Sequence, residues 1–125
     1  TTGTFGAGAI TGTKFVDTVY AAGNTGTAIN LDLANGSVQT MTLTGNTTIT
    51  LTGASATAST GSSVVLILTN DATPSRTIAF AGGTFIYPSG AVSRTTTAAA
   101  IDVWYFFTPD QGTTWYVSIP QKDMS

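Results

Sequence analysis

The only side-chain carboxylates in the 125 residues are Asp17, Asp32, Asp71, Asp102, Asp110 and Asp123, and the chain contains no Glu, His or Cys. Two carboxylates facing one bond could hydrolyse a glycoside. These six are scattered, and most have a plainer reading. Asp71 and Asp110 fall in turns, where Asp accepts backbone hydrogen bonds, and Asp32 sits on the wet face of a strand. Asp102 lies between Ala98–Ala100 and Val103–Phe107, so a structural role is expected, capping backbone or pairing with Arg76 or Arg94. Without imidazole or thiolate there is no ordinary zinc site, thiolate nucleophile, disulfide or His base. Calcium would need clustered oxygen ligands, and no Asp-x-Asp string or EF-hand loop is present. The reading is therefore a non-enzyme with no catalytic residue, no metal and no cofactor.

Trp104, Tyr105, Trp115 and Tyr116 could instead stack on sugar rings. In strands, however, adjacent side chains point to opposite faces, so each pair must give one member to the core. Trp104, Trp115 and Tyr116 are kept as candidates for an interface or a glycan contact. The string Gly6-Ala7-Gly8-Ala9-Ile10-Thr11-Gly12 has no strand before it and no helix signal after it, so it is not a dinucleotide fingerprint. Asn35-Gly36-Ser37 and Asn46-Thr47-Thr48 fit the glycosylation sequon, yet turn chemistry accounts for both Asn. Two Lys and two Arg against six Asp leave a net charge of −2, which argues against nucleic acid as a partner.

Charged residues are 8% of the chain and hydrophobic ones 42%, with 27 Thr and 14 Gly. Thr, Val, Ile and the aromatics suit a half-buried pleated surface. Thr1 to Gly12 reads as a flexible N-terminal arm, with Phe5 and Ile10 as its apolar anchors, and residues 13–125 as one β domain. Strands are predicted around Phe15–Tyr20, Ile29–Ala34, Val38–Thr44, Thr47–Thr52, Ser63–Thr69, Arg76–Phe80, Thr84–Tyr87, Ile101–Phe107 and Thr114–Ile119, the last ended by Pro120. Asn35-Gly36 and Gly45-Asn46 read as hairpin turns that make the second to fourth strands a meander. Ser63–Thr69 reads as buried on both faces. Ala91–Ala100 stays open between a helical turn and extended chain. The two Leu-Thr-Gly strings, Leu43–Gly45 and Leu51–Gly53, read as paired hairpin strands and not as a solenoid unit. The fold expected is all-β, an antiparallel β-sandwich of jelly-roll type with about eight short strands.

The longest aliphatic run, Val64 to Leu68, is far short of the ~20 residues of a membrane helix, so no membrane insertion is expected. No secretory signal is evident at the N-terminus. A small Thr at position 1 is what removal of an initiator Met commonly leaves. The expectation is thus a complete small gene product, a boundary within a longer chain being the alternative. The scarcity of Lys and Glu leaves the surface poorly guarded against association.

Three blocks carry a resemblance: Leu31–Val38 running into Leu43–Leu51; Val64–Leu68 followed by Arg76-Thr77-Ile78; and Ala100–Val103 followed by Thr113–Tyr116. Together they resemble a recurrent β-domain of tailed-bacteriophage virion proteins, found in tail fibres, head fibres and other structural proteins. The resemblance implies a virion structural role and supplies no catalytic residue. The leading expectation is a capsid decoration (cement) protein, a homotrimer on the outer shell, with the major capsid protein as partner. Thr1, Thr2, Thr4, Phe5, Ile10 and Lys14 are its candidate capsid contacts. The alternative is a fibre module that recognises a host surface polysaccharide through Trp104, Trp115 or Tyr116.

Overall fold

A computed structural model describes Gly6, Gly8, Ala9 and residues 11–125. The candidate contacts Thr1, Thr2, Thr4, Phe5 and Ile10 lie outside the described residues. Nine strands follow: β1 Val19–Asn24, β2 Ala28–Asp32, β3 Val38–Leu43, β4 Thr47–Thr52, β5 Ser62–Asn70, β6 Ile78–Ala81, β7 Thr84–Ile86, β8 Ile101–Thr108 and β9 Thr114–Met124. They form a six-stranded sheet, β1-β3-β5-β8-β9-β7, and a three-stranded sheet, β2-β4-β6.

The strand positions largely follow the alternation of apolar and polar residues, but the pairing does not follow the hairpins. Pairs β1/β3, β3/β5, β2/β4, β4/β6 and β7/β9 are parallel. Antiparallel pairing is confined to β5/β8 and β8/β9. From β1 to β6 the chain alternates between the sheets and winds as a coil. The expected antiparallel meander is therefore corrected, and with it the antiparallel, jelly-roll-like arrangement of the sheets.

Local chemistry explains the difference. Asp32 Oδ1 accepts the Ala34 N–H at 3.0 Å and winds Leu33–Asn35 into a 3-10 turn, which carries the chain across to the other sheet. Asn35-Gly36 thus serves as a corner instead of reversing one strand onto the next. At Gly45 an added Cβ would stand 2.6 Å from the Gly26 carbonyl oxygen, because this corner lies directly against the corner at residues 25–27, one turn of the coil earlier. Thr47 Oγ1 donates to that same oxygen at 2.7 Å, and Gly26 N–H donates to Thr44 Oγ1 at 3.0 Å. Asn46 Oδ1 accepts the Thr77 N–H at 3.0 Å and ties in the third corner. Small residues and Thr hydroxyls are what such stacked corners need: little bulk, and a partner for each backbone group.

Within this frame the inner faces alternate as expected. Gln39, Met41 and Leu43 of β3 are buried, as are Val64, Leu66 and Leu68 of β5. The opposite face of β5, with Val65 and Ile67, is only half-buried, so the strand is covered on one side and not on both. The three-stranded sheet contributes Leu31, Ile49 and Leu51 to the same cluster. Register aligns Ile29 with Ile49 and Leu31 with Leu51, so like side chains stack along the coil. Phe80 of β6 reaches across to Trp104 and Phe106 of β8, with ring centroids 5.2 Å away in both cases.

Two further boundaries move. Phe15 and Val16 precede β1 and are 73% and 76% exposed, so the first strand begins four residues later than Phe15. Pro120 does not end β9, which continues to Met124. The β8/β9 register shifts between Val103/Gln121 and Tyr105/Ser118, and this irregularity accommodates a residue with no N–H to donate. Residues 91–100 form neither helix nor strand, with a turn at 98–99.

Candidate functional site

Four of the six carboxylates, those of Asp32, Asp71, Asp102 and Asp110, are engaged in local structure. Asp102 is 4% exposed; its Oδ2 accepts the Thr95 N–H at 2.6 Å and its Oδ1 the Asp123 N–H at 3.0 Å. It therefore clasps the 91–100 segment and the end of β9 onto β8. Arg94 is close enough to feel its charge. Burial pushes the Arg94 guanidinium below its usual value, and the Asp102 charge opposes that shift. Arg94 also donates to Asn70 Oδ1 at 2.6 Å and to the Arg76 carbonyl at 2.9 Å. Arg76 pairs with Asp71 instead, at 2.7 Å.

Asp71 and Asp110 are held below the ordinary carboxylate range, Asp71 chiefly by the Arg76 hydrogen bond and Asp110 chiefly by the Thr114 N–H. A depressed carboxyl stabilises the fold above its ordinary pKa, and that contribution disappears as pH falls through the folded value. With no His, Glu or Cys, no side chain of ordinary pKa lies between about 5 and 9. The melting temperature is accordingly expected to be flat from about pH 5 to 9 and to fall below about pH 4. Asp110→Asn should lower it at pH 7 and shrink the acid fall; a sloping plateau in a thermal scan across pH would refute this account.

The aromatic candidates separate cleanly. Trp104 and Trp115 are each 1% exposed and belong to the core, so neither can meet a ligand as the fold stands. Their neighbours Tyr105 and Tyr116 point outward, at 40% and 48% exposure. With Phe107 and Ser118 they line a shallow depression on the outer face of the six-stranded sheet. Tyr116 is thus the one of the three kept candidates left in contact with solvent, and Tyr105, weighed with them on the sequence but not kept, is exposed beside it. Alternation fixes that one of each pair is outward. Only the position of the second sheet decides which.

Apart from Ile86 and Met124, the remaining exposed large apolar side chains sit at the start of the described chain. Phe15, Val16 and Val19 are 73%, 76% and 62% exposed and Tyr20 41%, beside exposed Lys14 and Asp17. Among the described residues no group of three Asp side chains could hold a metal ion, and no helix is long and apolar enough to cross a membrane. Comparison with protein-family models, with curated proteins and with solved structures finds no match in any of the three.

Proposed function

We propose that this chain is a non-enzymatic structural component of a bacteriophage particle, a decoration protein that binds the major capsid protein and reinforces the shell. The observation that carries this reading is the run Phe15, Val16, Val19, Tyr20, four large apolar side chains exposed within six residues just before and at the start of β1. A lone exposed apolar residue needs no explanation, whereas a contiguous set marks a binding segment. Attachment through an N-terminal segment supports a mechanical role: the segment lies along shell subunits while the β body sits over the seam and opposes outward pressure. The near absence of charge fits a surface meant to be covered.

The test is binding to shells assembled without this protein. Phe15→Ser with Val16→Ser is expected to weaken binding at least tenfold without changing the melting temperature, since neither side chain is packed. Removal of residues 1–12 should weaken it further through Thr1, Thr2, Thr4, Phe5 and Ile10. Unchanged binding by both variants would defeat the reading. Quantitative mass spectrometry of purified particles should find hundreds of copies, against a few dozen for a fibre component.

The outward rings of Tyr105 and Tyr116 favour one second reading, a fibre module that binds a host polysaccharide. On that reading Tyr116→Ala abolishes glycan binding, and a wild-type chain that binds no glycan excludes it.

A further inference from the structure

Among the described residues no element covers the outer face of the six-stranded sheet, and its register shows what it presents. Val38 of β3, Val65 of β5, Tyr105 of β8 and Ser118 of β9 lie side by side in one row. The adjoining row runs Thr40, Ile67, Val103 and Gln121. Phe107 and Tyr116 sit side by side at the far corner. No Asp, Lys or Arg occurs at any of these positions.

Five of the strands, β1, β3, β5, β8 and β9, at about 4.8 Å spacing and overlapping over about six residues, give a face of roughly 500 Å² in projection. The accessible area of protruding side chains exceeds the projection. The face therefore approaches the ~800 Å² that each partner contributes to a standard interface, and it is as large as the largest patch a typical monomer leaves exposed. The named positions carry no charge and have no salt-bridge partner to seek, so the face suits a complement that is itself neutral.

The face is also graded in size. The β1 and β3 side carries Val19, Ala21, Val38 and Thr40, while the β8 and β9 side carries the rings of Tyr105, Phe107 and Tyr116. A two-fold axis parallel to the strands, between β5 and β8, would set β3 of one copy over β9 of the other. In the shared rows Val38 would then face Ser118, Val65 face Tyr105, Thr40 face Gln121 and Ile67 face Val103, so no ring meets a ring and the two sheets can pack about 10 Å apart. A net charge of only −2 raises little repulsion between copies.

We infer that this face is a self-interface: a second copy of the chain packs on it face to face, about a two-fold axis that brings Val38 of one copy opposite Ser118 of the other. The inference does not depend on the shell reading.

Sedimentation velocity of the full chain at tens of micromolar should give twice 12.7 kDa. Ile67→Lys places a charge at the centre of the face and should return the mass to one chain while the far-ultraviolet circular dichroism stays the same. Because the chain has no Cys, single thiols can be placed at will. A mixture of Val38→Cys and Ser118→Cys chains should cross-link with a short bismaleimide, and Thr57→Cys chains, in an exposed loop, should not. A monomeric wild-type chain, an Ile67→Lys chain that still pairs, or cross-linking at Thr57 as efficient as on the face would overturn the inference. A mass of three chains, the number that the phage resemblance implies, would also overturn the two-fold pairing while leaving the shell reading intact.

Discussion

Asp102→Ala is expected to destabilise the protein by roughly 3–5 kcal/mol, a large share of the ~5–15 kcal/mol that holds a typical domain together. The carboxylate is 4% exposed and accepts two backbone N–H groups, from Thr95 and Asp123, that belong to different segments. Removing it leaves both donors without their acceptor and leaves Arg94, partly desolvated, without its nearest negative charge. Asp102→Asn keeps one acceptor oxygen but turns an NH₂ toward the second donor, so about half the loss should remain. Urea unfolding measures both. An alanine variant within about 1 kcal/mol of wild type would show that water takes over these bonds and that the clasp contributes little.

Trp104→Ala is the second substitution with an effect of this size, about 3–5 kcal/mol. The indole is 1% exposed, stacks on Phe106 at 6.0 Å with 8° between the planes, and meets Phe80 edge-on at 5.2 Å. Those contacts join β8 of one sheet to β6 of the other, so the cavity would open between the sheets, where neither can move to fill it. Trp104 Nε1 is buried without a hydrogen-bond partner. Trp104→Phe removes that orphan donor along with part of the ring, and its cost should be less than half that of the alanine variant. Equal losses from Phe and Ala would mean that the indole's bulk, and not the stacked pair, determines stability at this site.

Alternation made the strands readable where one face is wet and the other dry. Gln39, Met41 and Leu43 were legible as one face of β3, and Trp104 with Tyr105 as opposite faces of β8. Pairing was less legible, because Asn-Gly and Gly-Asn signal a change of direction without specifying whether the next strand joins the same sheet or the facing one. A signal for the coil is nonetheless present. Thr27-Ala28-Ile29-Asn30-Leu31-Asp32 and Thr47-Thr48-Ile49-Thr50-Leu51-Thr52 repeat Thr-x-Ile-x-Leu at an offset of twenty residues, and the parallel register pairs those same positions. The Leu-Thr-Gly strings obscured it, since they recur at eight residues and suggest a hairpin. For the outward surface, composition showed that association was poorly guarded against, but which tyrosines face water depends on where Phe80 and the second sheet lie.

The coil also orders events in time. Each strand from β3 to β6 is laid beside one already passed by the chain, roughly 20 to 30 residues back, whereas β1 lies at the rim and has β3 as its one neighbour in the sheet. Five of its six residues are exposed, so little apolar burial resists its detachment. A pull on the N-terminal end would therefore detach β1 first, with β3 and then β5 exposed in turn. The segment proposed to grip a shell thus runs into a weakly held rim strand, and a pull on it would loosen the body one strand at a time before the core gives way.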